Sequence, residues 1–317
     1  MAPLLPPTTG ISAGELSAID IMQAGNIASF CQHLEFFADH PPLQIRPLSA
    51  GNTNLSYYIR TARSEYVLRR YNSLLSGRCH QQELRCQHAA AAAGLAPAPL
   101  CLNHHQHILI SDYIAEGTAL TLNGPRLALL ANKVARLHNL RVQTPLLHPS
   151  RYLRQLLKHT EQQSVEPAAS LFAALQHSAE QLAQLEQDTV LCHMDLHPGN
   201  LLWAGQKIWM LDFEYAQLAD SSFDLAALCL HFQLSAEQQQ QLIRVYWQER
   251  CFNERGRQQR LAVTMAQRLK LAKILYSGFC WLWYQTMPAG NTEAARWQAQ
   301  LSQLLAQSPP SLSANTL

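Results

Sequence analysis

The chain has 317 residues, of which 48% are hydrophobic and 15% charged, and its formal net charge is +2. That length can bury a substantial core in one large domain or two lobes. The near-neutral balance, with no Lys/Arg-rich run, argues against a nucleic-acid or membrane-surface partner held by charge. The eight cysteines form no CxxC pair and read as reduced thiols of a cytoplasmic protein. MAPLLPPTTGISAG has no basic region ahead of an apolar core, so no secretory signal is expected. The most apolar segment, 271–284, is too short for a membrane span and carries Lys273.

In chain order, 1–14 and 308–317 are rich in Pro, Ser and Thr and read as disordered ends, with a helix expected within 15–38. Three strands follow in LQIRPLSA, NLSYYIRT and SEYVLRRYN, joined by turns at 51–54 and 62–64. CHQQELRCQHAAAAAG (79–94) reads as a helix ended by Gly94. HILISDYI (107–114) reads as a strand broken at Glu116-Gly117, and the preceding NHHQH as a solvated turn. The next helix, 120–140, has a cap at Asn123 and Pro125 in its first turn. Further helices are expected at 150–160, 166–187, 222–232, 235–251, 257–286 and 291–307, with two short strands inside 190–211. The fold class is α+β. A small antiparallel sheet lobe (15–116) precedes a larger, mainly helical lobe (117–307), and a cleft between the lobes is the natural ligand site.

Two polar stretches interrupt the apolar runs: LCHMDLHPGNLLW (191–203) and LDFEYA (211–216). If LLW and IWML form a hairpin, Asn200 and Asp212 lie at its open end, about 5 Å apart. A carbonyl oxygen and a carboxylate at that spacing suit Mg²⁺, which takes its remaining ligands from water and substrate phosphates. Asp195 precedes Asn200 across the Pro198-Gly199 turn. It can sit near the metal without binding it, placed to orient a hydroxyl and accept its proton. His193 and His197 at i, i+4 would suggest zinc on a helix, but the Pro-Gly pair argues against one. His193 reads as structural.

His193-Met-Asp195-Leu-His197-Pro-Gly-Asn200 fits H-x-D-x-x-x-x-N, and Asp212-Phe-Glu stands in place of a D-F-G. Over roughly residues 43–286 the chain resembles the kinase-like small-molecule phosphotransferases: aminoglycoside phosphotransferases, choline/ethanolamine kinases and bacterial thiamine kinases. The resemblance implies a bilobal protein-kinase-like fold that uses ATP and Mg²⁺. It implies Asp195 as the catalytic base, Asn200 and Asp212 as magnesium ligands, and Asp224 as a structural aspartate bracing the catalytic loop. Arg69 falls where kinases carry a strand lysine, and its fork can grip phosphate bidentately. Arg70, on the opposite face, is the alternative. Glu83 is the expected ion-pair partner. Gly51, Asn52, Thr53 and Asn54 form the phosphate-covering turn, and backbone groups of Asp112 and Ile114 would hold adenine.

Only eleven residues separate Asp212 from Asp224, and no A-P-E sequence follows, which leaves no room for a peptide-docking segment. The substrate is therefore expected to be a small alcohol. D-F-E-Y-A followed by F-D-L-A, and the aromatic helix YSGFCWLWYQ (276–285), resemble choline/ethanolamine kinases. Thiamine kinases share the histidine-aspartate and D-x-E-Y-A patterns, so the primary hydroxyl of choline, ethanolamine or thiamine remains open. Glu214, Trp281, Trp283 and Tyr284 are the candidates to hold the cationic end, through charge and ring faces. Residues 276, 280 and 283 are expected on one helical face and 277, 281 and 284 on another. Other alcohols (homoserine, methylthioribose, an aminoglycoside) and a non-catalytic nucleotide-binding module are the competing readings, and a homodimer stays open.

Overall fold

A computed structural model describes residues 27–50, 54–71, 79–162, 168–252, 254–287 and 291–307. The ends expected to be disordered, the start of the first helix, and Gly51, Asn52 and Thr53 lie outside these residues. The described residues fall into two compact units. One contains those within 27–121 and 198–214, the other those within 122–197 and 215–307. The stretch 198–214, expected in the helical lobe, thus clusters with the first unit.

The first unit is built on β1 (Gln44–Ala50), β2 (Asn54–Arg60), β3 (Glu65–Tyr71), β4 (Pro99–Asn103) and β5 (Ile108–Asp112), an antiparallel sheet in the order β1-β2-β3-β5-β4. Strand alternation gives the sheet two unlike faces. Tyr57, Ile59, Leu68, Ile108 and Ile110 point into a core closed by Ile27, Cys31, Leu34 and Phe37, from helix α1 (27–32) and the turn after it. The intervening residues Ser56, Val67, Arg69, Leu109 and Ser111 line a cavity on the opposite face. Helix α2 (His80–Ala92) follows β3 and ends at Gly94 with φ +68°, a left-handed position that suits glycine. β6 (Thr118–Ala119), β8 (Leu201–Ala204) and β9 (Lys207–Met210) form a small second sheet, in which the expected hairpin pairs Leu201 with Met210. Met210 N–H donates to the Leu95 carbonyl and Leu120 N–H to the Leu201 carbonyl. Those bonds hold residues 198–214 within this unit.

The second unit is mainly helical: α3 (Gly124–His138), α4 (Pro149–Gln162), α5 (Ala169–Ala183), α6 (Ser222–His231), α7 (Ala236–Glu249), α8 (Arg257–Gln285) and α9 (Asn291–Ala306). Asn123 caps α3 by accepting the Arg126 amide, and Ser235 with Gln238 forms a capping box on α7. The 29-residue α8 packs against α4, α5, α6 and α9. Where α8 meets α5, Gly278 leaves room for Leu175. This unit also holds a two-stranded sheet whose second strand was not anticipated. β7 (Thr189–Cys192) pairs antiparallel with β10 (Gln217–Asp220), placing Gln217 opposite Cys192. Each has four residues and no clear alternation, so neither announces itself alone. Buried Arg268 donates to both oxygens of Asp220, at 2.9 and 2.8 Å, and Asp220 also takes the Asp188 and Ser222 amides. That charge-assisted knot fixes where β10 ends and α6 begins. Among the described residues no helix is long and apolar enough to cross a membrane.

Candidate active site

In the first unit, Arg69 projects from β3 into the cavity and spans two carboxylates. Its Nη1 lies 2.9 Å from Glu83 Oε1 on α2, and its Nη2 lies 2.7 Å from Asp212 Oδ2. Tyr71 adds a hydroxyl bond to the other Glu83 oxygen at 2.9 Å. Burial by itself lowers the Arg69 pKa, but Asp212, Glu83 and Glu214 carry it well above its ordinary value. Arg70 is exposed on the opposite face, over the Phe30 ring at 5.5 Å. Half-buried Glu214 is close enough for its charge to act on Arg69.

The cavity measures about 420 Å³ and is lined by Val67, Arg69, Asp112, Ile114, Asn200 and Asp212, among others. Six residues picked from distant parts of the sequence therefore share one wall. Leu211 N–H donates to the Asn200 carbonyl at 2.9 Å, which registers the two ends of the β8–β9 hairpin. Asp212 sits at φ +64°, a left-handed conformation that aspartate tolerates better than most residues. The Asp112 amide is already taken by the Ala98 carbonyl, so its carbonyl is the group left to consider for a base. Gly117 closes the wall: a Cβ there would stand 3.1 Å from Leu202 Cδ1 and 3.3 Å from the Ile114 carbonyl. Asn54 begins β2, and the rest of the expected phosphate-covering turn is not described. An amide oxygen from Asn200 and a carboxylate from Asp212 are hard oxygen donors, and the donor set fits Mg²⁺. A cation held by Asp212 has to share that carboxylate with Arg69.

Asp195 belongs to the second unit, in the loop that leaves β7. It is 4% exposed, with His197 Nε2 3.6 Å from its Oδ2. The loop is braced from α6. Asp224 accepts the His193 amide at 2.7 Å and the Met194 amide at 2.8 Å, and Met194 itself has φ +68°. Asp224 Oδ2 also meets His138 Nε2 at 3.0 Å, while His138 Nδ1 meets the Tyr246 hydroxyl at 2.9 Å. The carboxylate requires a proton on Nε2, and the Tyr246 hydroxyl lies within reach of both Nδ1 and Asp188 Oδ2. His138, Cys192 and Asp224 bring ligand atoms within 4.8 Å of one another. Both His138 nitrogens and the Asp224 oxygens are nevertheless hydrogen-bonded, and burial holds the Cys192 thiol well above its ordinary pKa. The cluster is a hydrogen-bond brace rather than a metal centre. The sequence reading did not find His138 or Tyr246. They lie far from the motif in sequence, and only packing makes them neighbours.

Trp281, Trp283 and Tyr284 are all buried, at 1%, 2% and 3% exposure. Burial raises the pKa of Tyr284, Tyr276 and Cys280, and the charge of Asp195 adds to each. Tyr276, Cys280 and Tyr284 therefore all feel the charge of Asp195. At 100° per residue, 284 lies about 20° from 277 and about 40° from 280, at the border of the two faces. Trp297 on α9 was missed. It packs against His231 with centroids 5.2 Å apart and against Tyr276 at 6.0 Å.

A family profile described as "Phosphotransferase enzyme family" matches residues 44–260. The chain is 24% identical over 151 residues to the protein LicA homolog of Mycoplasma capricolum, a match covering 47% of this chain and 61% of that protein, under two thirds of its length. It is 26% identical to protein LicA of Haemophilus influenzae over 243 residues, 74% of this chain and 70% of the other. Choline kinase LicA from Streptococcus pneumoniae shares the fold, with TM-score 0.70 at 19% identity over 92% of this chain and all of that one. The α+β, bilobal protein-kinase-like class expected from the motifs is thus the observed one. With its profile matched over more than half of its length, the chain belongs to the phosphotransferase enzyme family.

Proposed function

We propose that the protein is an ATP- and Mg²⁺-dependent kinase. It transfers the γ-phosphoryl group to the primary hydroxyl of a small cationic alcohol, with choline and ethanolamine ahead of thiamine. The observation that carries this reading is the cavity wall on which Arg69, Asn200 and Asp212 converge beside the Asp112–Ile114 strand end. It combines a phosphate-binding fork, hard oxygen donors and an apolar surface in Val67 and Leu109 for a base. The order of choline and ethanolamine before thiamine rests on the likeness to the LicA proteins, one of which is described as a choline kinase.

In this reading Arg69 holds phosphate oxygens, and Glu83 fixes the direction of its fork. Asn200 and Asp212 hold the magnesium ion, which when bound offsets charge on the phosphates. The carbonyl of Asp112 and the amide of Ile114 receive the adenine. Asp195 orients the acceptor hydroxyl and takes its proton. Its buried setting, with the loop amides pinned by Asp224, keeps that carboxylate in one position. Glu214, Tyr284 and the tryptophans of α8 are the groups offered to the cationic end, and Tyr284 is the one whose pKa registers the charge of Asp195.

The test is ADP release with Mg-ATP and each of choline, ethanolamine and thiamine, with products identified by mass. A phosphorylated choline or ethanolamine supports the reading as stated. Thiamine phosphate as the sole product moves the assignment to thiamine. ATP binding without any phosphorylated alcohol overturns the proposed substrate class.

A further inference from the structure

A second cavity, of about 520 Å³, lies wholly within the helical unit. Its wall is formed by the end of α3 and the chain after it (138–143), β7 with the residue before it (188–191), Leu218 of β10, residues 250–252 after α7, and Arg257 at the start of α8. Asp188 is its one carboxylate, and Arg141, Arg250 and Arg257 are its guanidinium groups.

The charges do not cancel. Arg250 Nη2 reaches both Asp188 oxygens, at 2.9 and 3.1 Å, with the two side chains 5% and 2% exposed. Arg250 Nη1 donates to the His138 carbonyl and to Asn139 Oδ1. Asp188 and Arg250 therefore neutralise each other, while Arg250 Nε stays buried with no hydrogen-bond partner. Arg257 reaches the Gln187 carbonyl at 3.5 Å, and among the described residues neither Arg141 nor Arg257 forms an ion pair with a carboxylate. Arg257 also acts on the charge of Glu186, which Arg260 holds, so a net positive balance is left on a wall that also offers Val190, Leu191, Leu218 and Phe252.

From this arrangement we propose that the cavity is a second ligand site, separate from the nucleotide cavity, that takes a compact organic phosphate. The oxyanion would sit between Arg141 and Arg257, and a short apolar stem would lie on the Val190–Leu218 floor. Guanidinium groups bind phosphate oxygens bidentately, and a half-enclosed apolar wall strengthens such pairs by excluding water. Nothing in the catalytic reading uses Arg141 or Arg257, so the site stands or falls independently of it.

Cys251 lines this cavity and is exposed, while Cys79 is an exposed thiol of the first unit. Alkylation of the two by iodoacetamide, followed by peptide mass spectrometry, therefore reads occupancy at a known place. Butyl phosphate is the probe. At about ten times its dissociation constant it is expected to slow alkylation of Cys251 about tenfold and leave Cys79 unchanged. Arg141→Ala/Arg257→Ala, with folding checked by circular dichroism, is expected to lose the protection, and Arg141→Lys/Arg257→Lys to keep part of it. Absence of protection at millimolar butyl phosphate in the wild-type chain overturns the proposal. So does equal protection in the double alanine variant, or equal slowing at Cys79.

Discussion

Arg69 on β3 and Glu83 on α2 form an ion pair of 2.9 Å, and Glu83 is only 2% exposed. The pair joins a strand to a helix fourteen residues further on, and Asp212 shares the same guanidinium. Removing one partner of such a pair leaves a buried charge uncompensated, which costs roughly 3–5 kcal/mol. Arg69→Ala is expected to lower stability in denaturant by about that amount and to weaken nucleotide binding. Glu83→Gln keeps the shape without the charge, so it should cost less stability while freeing the Arg69 fork. Wild-type stability in Arg69→Ala would mean that water already solvates Glu83.

Asp195→Asn preserves volume and removes the base. Turnover is expected to fall by roughly 10²–10⁴-fold with nucleotide affinity little changed. Steady-state kinetics with an ATP-binding measurement separates the two effects, and near-normal kcat would take Asp195 out of its proposed role.

Tyr246→Phe deletes the hydroxyl that meets His138 Nδ1 at 2.9 Å and Asp188 Oδ2 at 3.4 Å. The imidazole then loses a hydrogen bond that steadies it against Asp224 and, through it, the amides before Asp195. A stability loss of about 1–3 kcal/mol is expected from the buried, unpaired nitrogen. A lower kcat at unchanged KM for the nucleotide would show that the brace positions the loop; a stability loss without a change in kcat would show that it does not.

His231 is half-buried against Trp297 and Tyr276, and its pKa lies well below 6.5, through burial first and then His197 and Arg296. Below pH 6.5 the unfolded chain takes a proton that the folded one refuses. Stability from this group is thus present above that pH and lost as pH falls towards the folded value. The slope should approach 1.4 kcal/mol per pH unit, about one proton's worth. Melting temperatures between about pH 7 and pH 5 test it, with His231→Leu expected to flatten the curve.

Gly278→Ala would place a Cβ 2.3 Å from Leu175 Cδ2 and 2.6 Å from Cδ1, and Leu175 is itself fully buried. The leucine has nowhere to swing, so a loss of roughly 1–3 kcal/mol is expected in chemical denaturation. An unchanged midpoint would mean that α5 and α8 can separate at little cost.

Sequence pattern alone located β1 to β3, α2, α3 and the later helices, because alternation and helical periodicity are local properties that survive without the fold. Asn123 as a cap and Gly94 as a stop were legible for the same reason: each acts on backbone groups a few residues away. The motif residues Asp195, Asn200 and Asp212 were legible through their order and spacing.

Other features depended on contacts across the chain. β7 and β10 are four residues each and take their pairing from across the chain, with Leu218 of β10 also bridged to Leu146. The left-handed backbone at Met194 and Asp212 is visible only once the loop and hairpin are built. Which residues of α8 feel the charge of Asp195 is not written in the helical repeat, since neighbouring elements decide it. The sequence by itself determined the elements and the chemical inventory, because periodicity and motif spacing are written along the chain. Tertiary structure alone decided that Arg69 faces both Glu83 and Asp212, that Tyr246 and His138 stand behind Asp224, and that Arg141 and Arg257 share one cavity wall. Those are distances between residues 14 to 143 positions apart in sequence, set by packing rather than by any local signal.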